Sequence, residues 1–333
     1  MGHFRNVLFV SSLVLLSCSD DAEKFNHPIC VISDRLYVFR PSDNEITTTL
    51  DLGTQPHMNA RSGNELFIHS YPYRQRHLFL NVVDLNSMSV KRSKQYGLPS
   101  GEVSGFSVAD KIFTYDYGSK GPFIATLNRE TLEPEDTTLT SNLPYNAQDL
   151  LVVGNKVFLN FGSLIKVLDA TTFEELKTFD VSSPVFPSGY SKFILDKDNK
   201  ILIYDGALRR LSPEDLTMKA LRKQEASIYW PIKRPAYNPG DGVVYILLEK
   251  IESGVITYTP RRFDLNTLKE EDFVTDPAVL AFDIDFISYN SGNQLIIIGG
   301  RNSAGGILKT FNTAGVFQKE YVIPSGAGAS AAY

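Results

Sequence analysis

Prolines recur along the chain at Pro56, Pro99, Pro144, Pro187, Pro231, Pro277 and Pro324, separated by 43, 45, 43, 44, 46 and 47 residues. A near-constant period of this length marks a repeat architecture in which each unit is one supersecondary motif that cannot bury its apolar face alone. Around each proline the pattern is similar: a short apolar run, a polar turn, and further β-branched and aromatic runs. No unit holds a helical period of ten or more residues, so helical solenoids are excluded.

The fourth unit shows the plan. Gln148 to Val153, Val157 to Phe161, Leu164 to Asp169 and Leu176 to Val181 read as four strands joined by Gly154-Asn155-Lys156, Gly162-Ser163 and Ala170-Thr171-Thr172, which is hairpin chemistry. An Asp, Asn or Ser ends the third strand of unit after unit, at Asp84, Asn128, Asp169, Ser212, Asp264 and Asn312. Such a side chain accepts backbone hydrogen bonds two residues on and starts a turn. Asp196-Lys197-Asp198-Asn199 resembles a calcium loop but lacks the glycine and the distant glutamate, so it reads as another hairpin. Four-stranded antiparallel units in radial array predict an all-β, seven-bladed β-propeller, with each proline expected to open the innermost strand of its blade.

The two ends complement each other. The first unit has only Ile29 to Ser33, Arg35 to Arg40 and Glu45 to Asp51 before Pro56, one strand short. Ser325 to Tyr333 follows Pro324 with nothing to pair with in its own unit. The C-terminus is therefore expected to supply the innermost strand of the first blade, the alternative being a frayed Gly/Ala tail.

Met1 to Ser17 reads as an export signal, with Arg5 in its polar head and an apolar run from Val7 to Leu16. Leu15-Leu16-Ser17-Cys18 looks like a lipobox, which makes Cys18 the expected lipidated residue of the mature chain, and 18–28 an acidic tether to a domain over 29–333. Acyl chains on Cys18 would give a stable anchor. Cys30, the other cysteine, then has no disulfide partner within the chain. Formal net charge is −5, and removal of the signal, whose one charge is Arg5, makes it −6, so electrostatics give nucleic-acid binding no support.

The run Lys156 to Leu176, with its Val167-Leu168-Asp169-Ala170-Thr171-Thr172 corner, resembles the repeat of the YVTN or YncE-like seven-bladed propellers. Arg262-Phe263-Asp264-Leu265-Asn266-Thr267 fits as well, whereas Ser212 and Asn312 replace the corner Asp in their units. Ser19-Asp20-Asp21-Ala22-Glu23, directly after Cys18, is similar to the surface-export signal of Bacteroidota lipoproteins, although a plain solvated tether has the same composition. The likeness implies an outer-membrane lipoprotein, surface-exposed or facing the periplasm, in a nutrient-uptake or surface system. One group similar in plan binds cobalamin and passes it to a TonB-dependent transporter, so such a transporter is the implied partner; no residue here matches a cobalamin contact by motif.

Rigid rings position functional loops, and the loops with most recognition chemistry name the candidate ligand contacts: Tyr71, Tyr73, Arg74, Arg76 and His77 on one connection, Tyr229 and Trp230 on another, and Tyr145, Phe186 and Arg301 elsewhere. Aromatic platforms and guanidinium forks suit a glycan, a carboxylated or phosphorylated small molecule, or a protein loop; blade packing is the competing use of the same side chains. No metal site, cofactor motif, nucleophile elbow or phosphate-cradling loop is present, so no catalytic residue is assigned. A His57–His77 pair and the Asp283-Ile284-Asp285 carboxylates remain the only footholds for an enzyme, of the lactonase-like propeller type. The expected role is binding of a small molecule or protein partner, with an interaction scaffold and a lactonase-like hydrolase as alternatives.

Overall fold

The computed structural model describes 27–323 and 331–332, apart from 33–34, 47, 53–54, 72–76, 98–104, 119–120, 141, 145–146, 182–191, 205–206, 223–228, 232–234, 253–254, 275 and 304. Seven antiparallel sheets succeed one another along the chain and close into a seven-bladed β-propeller. Blade 4 follows the sequence expectation closely, with strands Asp149–Val153, Lys156–Asn160, Leu164–Asp169 and Glu175–Asp180 in consecutive order. First strands of neighbouring blades touch one another from blade 2 to blade 5 and from blade 6 through blade 7 to blade 1, and so line the axis.

Blade 1 takes its innermost strand from the C-terminus. Ala331–Ala332 pairs antiparallel with Ile29–Ile32, Val31 facing Ala332 and Ile32 facing Ala331, and Leu36–Phe39 and Thr48–Leu50 complete the sheet. The apolar interior is divided by this plan into seven clusters, one between each pair of neighbouring blades. The seam between blades 7 and 1 is packed like the rest: Ile29, Val31, Tyr37 and Phe39 meet Phe286, Ile297, Leu308 and Tyr321, all buried. At the outer rim of that seam, Lys319 of blade 7 donates to the carbonyls of Pro41 and Asp43 in blade 1, and the Tyr321 hydroxyl donates to the Pro41 carbonyl at 3.1 Å.

The third-to-fourth-strand corners form as expected at the Asp and Asn positions, whereas the Ser212 hydroxyl donates to the Glu214 carboxylate at 2.8 Å. Asp169 Oδ1 accepts from the amides of Thr171 and Thr172 at 2.8 and 2.9 Å, and Asp84, Asn128, Asp264 and Asn312 repeat the arrangement. These two amide bonds hold the Asp169 carboxyl below its usual range. A second element of the corner has no simple sequence signal. Met88, Leu132, Phe173, Leu216 and Leu268 each stand four residues after the corner side chain with φ between 51° and 60°, a left-handed conformation that non-glycine residues rarely adopt. Leu132 shows the compensation, since its amide bonds the Asn128 carbonyl and its side chain is buried with Phe67, Leu80 and Val82 of blade 2.

The prolines depart from the expected role. Pro56 and Pro231 lie inside inner-strand segments, but Pro144 precedes its strand by five residues and Pro277 opens a short 3₁₀ turn, Pro277–Leu280, capped by Asp276. The ring of Pro277 fits the first position of such a turn because no partner is needed for its missing N–H. The period marks the passage from one blade to the next, not the first residue of a strand. Pro99, Pro187 and Pro324 lie outside the described residues.

Candidate functional site

The antiparallel blades give the ring two unlike faces. One carries the first-to-second and third-to-fourth turns and is called the turn face; the opposite one carries the second-to-third loops and the passages between blades, and is called the loop face. In blades 2 to 7 each third strand ends at its corner residue on the turn face: Asp84, Asn128, Asp169, Ser212, Asp264 and Asn312. Differences in strand length therefore accumulate entirely on the loop face.

Those differences are large. The third strand of blade 6, Val255–Asp264, has 10 residues, against 5 for Leu208–Ser212 in blade 5 and 6 for Leu164–Asp169 in blade 4. At about 3.3 Å per residue, the five extra residues raise blade 6 roughly 16 Å above blade 5. Gly121–Asn128 of blade 3 and Gly305–Asn312 of blade 7 have 8 each. Blade 1 is low as well, its third strand Leu36–Phe39 having 4. Among the described strands, blades 4 and 5 are thus two adjacent low blades, with the wall of blade 6 along one side and blade 3 along the other.

Tyr229 and Trp230 lie on that wall. Blade 6 has a divided inner strand, Tyr229–Pro231 and Ala236–Asn238, both paired with Val243–Glu252. Trp230 faces Glu249 and Tyr229 faces Lys250, at the end of the hairpin that rises from the ring. Pro231 stands opposite Leu248 and Ala236 opposite Tyr245. Arg301 is exposed near the end of blade 7's second strand, Leu295–Asn302, in register with Asp283 and Gly306. Tyr71 ends the second strand of blade 2, Glu65–Tyr71, and His77 opens the third, His77–Asp84, so both belong to the loop face but across the ring. Tyr73, Arg74, Arg76, Tyr145, Phe186 and Cys18 lie outside the described residues, as do the side chains of Tyr71, His77, Tyr229 and Trp230.

The two enzyme footholds are changed by local geometry. His57 stands at a bulge of the first strand of blade 2 and His77 on its third, with Glu65–Tyr71 between them. Two strand spacings, about 10 Å, separate the backbones. A second bulge, between Ile284 and Phe286, breaks the alternation expected to place Asp283 and Asp285 on one face. Its effect shows in the core: Ile284 and Ile287, three residues apart, pack toward blade 6, while Phe286 packs toward blade 1. Gly300 sits opposite this bulge, where a Cβ would lie 1.9 Å from the Asp283 carbonyl, and one on Gly299 would meet the Phe286 ring at 2.2 Å. The Gly299-Gly300 pair is accordingly buried strand that admits the bulge, and Arg301, Asn302 and Ser303 beyond it are exposed.

On the turn face, charged groups are engaged with one another. Asp196 has a fully buried carboxylate that accepts from the amides of Asp198 and Lys200 at 2.9 and 2.8 Å and pairs with Arg210 at 2.6 Å. Arg210 also meets Asp198 at 2.8 Å, so a guanidinium occupies the place a calcium ion would take in the loop that 196–199 superficially resembles. Glu65 gathers Lys91, Arg92 and Arg129 at 2.9, 2.9 and 3.3 Å. Burial works against its charge, but the bonds from Lys91 and Arg129 and the charge of Arg92 prevail and lower its pKa. Among the described residues, no group of three His, Cys, Asp or Glu side chains is placed to hold a metal.

One buried titratable side chain carries no sequence signal beyond its place in a strand. His69, on the second strand of blade 2, is 0% exposed, neither ring nitrogen has a hydrogen-bond partner, and the ring packs against Phe106 of blade 3 at a tilt of 44°, with centroids 4.3 Å apart. Burial pushes its pKa down to about 3, so it is neutral at physiological pH.

No protein-family model and no characterised protein matches the sequence. Solved structures do resemble the fold. A functionally unknown protein from Desulfotomaculum acetoxidans shares 12% identity over 91% of this chain and 98% of its own, with a TM-score of 0.60. The dihydro-heme d1 dehydrogenase NirN, solved in complex with DHE, shares 11% over 93% and 75%, TM-score 0.58, and Kuenenia stuttgartiensis hydrazine synthase 11% over 75% and 74%, TM-score 0.54. At this level of identity the likeness shows the seven-bladed ring and no shared chemistry.

Proposed function

We propose that the chain is a lipid-anchored outer-membrane propeller of the YncE-like kind that binds a small-molecule ligand or a protein partner for a nutrient-uptake or surface system and performs no catalysis. The observation that carries this reading is the step in the loop face: a rigid closed ring with a low sector over blades 4 and 5, and the only Trp on the wall beside it. A concave site beside aromatic residues is the usual form of a ligand pocket. The lipobox at Cys18 and the repeated corner at Asp84, Asp169 and Asp264 support the anchored, YncE-like part of the proposal.

A thermal-shift panel of corrinoids, glycans and siderophores on the mature chain tests it. A ligand that raises the melting temperature should lose that effect in Trp230→Ala, Tyr73→Ala or Arg74→Ala. A full panel without a shift would count against a small-molecule receptor and for a protein-interaction scaffold. A TonB-dependent transporter encoded beside this chain would support the uptake role.

A further inference from the structure

The chain enters the ring on the turn face. His27 donates its amide to Asn293 Oδ1 at 2.8 Å, and Asn293 Nδ2 donates back to the His27 carbonyl at 2.9 Å. Asn293 is itself buried and fixed, its amide bonding Asn290 Oδ1 at 2.9 Å across the first-to-second turn of blade 7. A Cβ on the neighbouring Gly292 would stand 3.0 Å from the His27 ring, so glycine leaves room for it. Two residues later Ile29–Ile32 begins and runs toward the loop face. The described chain therefore begins on the turn face, clamped at a defined point beside the seam of blades 7 and 1.

We infer that the turn face is held toward the lipid surface and the loop face is presented away from it, an inference that rests on the proposed acylation of Cys18. Eight residues lie between Cys18 and His27, nine steps of the chain with a reach of about 30 Å when fully extended. For the loop face to rest on the membrane, the tether would first have to cross the third and fourth strands of its blade, about 10 Å. It would then climb the height of the neighbouring blades, about 26 Å for the 8-residue strand Gly305–Asn312. That path of roughly 36 Å exceeds the reach, and the 10-residue strands of blade 6 would hold the membrane farther off still. A membrane-embedded partner accordingly meets the turn face, while the low sector over blades 4 and 5 takes its ligand from the side away from the bilayer.

The test places the lipidated full chain on vesicles carrying a headgroup-linked quencher, with a fluorophore on Asn155→Cys at an exposed turn-face position or on Ser303→Cys at the exposed end of blade 7's hairpin. Cys30 is buried, which keeps it from competing for label. Greater loss of fluorescence at position 155 than at 303 is expected. Equal quenching, or greater loss at 303, overturns the orientation. Flotation with vesicles is measured in parallel: a chain that does not float, or that floats equally well as Cys18→Ala, overturns the anchored reading and the orientation with it.

Discussion

Leu132 and Leu268 occupy the same left-handed position, four residues beyond the corner side chains of blades 3 and 6, with φ of 60° and 57°, yet Leu132 is 1% exposed and Leu268 49%. In blade 3 the strain is offset by burying the side chain against blade 2; in blade 6 nothing comparable offsets it. Asn adopts this conformation more readily than Leu. Leu268→Asn should therefore stabilise the protein by about 0.5–1 kcal/mol. Leu132→Asn removes a buried side chain and inserts an amide, and should destabilise it by at least about 3 kcal/mol. Denaturant midpoints with unchanged slopes would measure both, and a loss of similar size at the two positions would refute the compensation.

The period and the corner Asp, Asn and Ser residues made the ring legible, because turn chemistry is local and recurs at each blade. The missing strand at the start and the surplus strand at the end located the seam for the same reason: strand counting needs only local information. The left-handed Met88, Leu132, Phe173 and Leu216 were hidden, since their tolerance comes from apolar contacts in the preceding blade, far away in sequence, such as Leu132 with Leu80. The step beside blade 5 was concealed differently. Val243–Glu252 and Val255–Asp264 are two plain ten-residue runs, but their height matters only in comparison with neighbours whose register the sequence does not display. Asp283 and Asp285 misled because alternation was assumed through a bulge.

Closure predicts a large effect from a small deletion. Removing Ser325 to Tyr333 strips Val31 and Ile32 of their partners Ala332 and Ala331 and opens the inner edge of blade 1. An unpaired inner edge leaves backbone donors and acceptors without partners and exposes the apolar cluster between blades 7 and 1. The truncated chain should melt well below the intact one and self-associate. An unchanged melting curve would sink the closure. Lys319→Ala, which removes the contacts with Pro41 and Asp43 at the rim of the same seam, should cost less, about 1–2 kcal/mol.

His69 gives stability a defined acid limb. Its pKa is about 3 when folded against 6.5 for a solvated histidine. Between these values the unfolded chain binds the extra proton, so stability rises with pH in that window, is level above 6.5, and falls on acidification. Each unit below 6.5 costs about 1.4 kcal/mol. Glu65 and Glu214, whose folded pKa values are lowered from 4.5, add their losses only below that point, which leaves the stretch from 6.5 to 4.5 to histidine. Denaturant unfolding at a series of pH values should show that slope in the native sequence. His69→Leu, which keeps a comparable apolar volume against Phe106, should flatten it; a slope that persists in the variant assigns the proton uptake elsewhere.

Two glycines with positive φ separate conformational strain from collision. Gly63, in the first-to-second turn of blade 2, has φ +59° and nothing within 4 Å of a built Cβ, whereas Gly315, in the third-to-fourth turn of blade 7, has φ +84° and a Cβ there would lie 1.6 Å from the Phe273 carbonyl oxygen. Gly63→Ala meets only the left-handed penalty, about 1–2 kcal/mol, partly offset by the lower entropy of the unfolded chain. Gly315→Ala meets that penalty and forces apart the backbones of blades 6 and 7 where Phe273 packs on Tyr245 and Phe311. The expected loss is several kcal/mol, because a packed interface transmits the displacement and does not absorb it. Paired melting experiments decide the matter: similar losses for the two variants would mean that the close approach at Phe273 contributes nothing to the choice of glycine at 315.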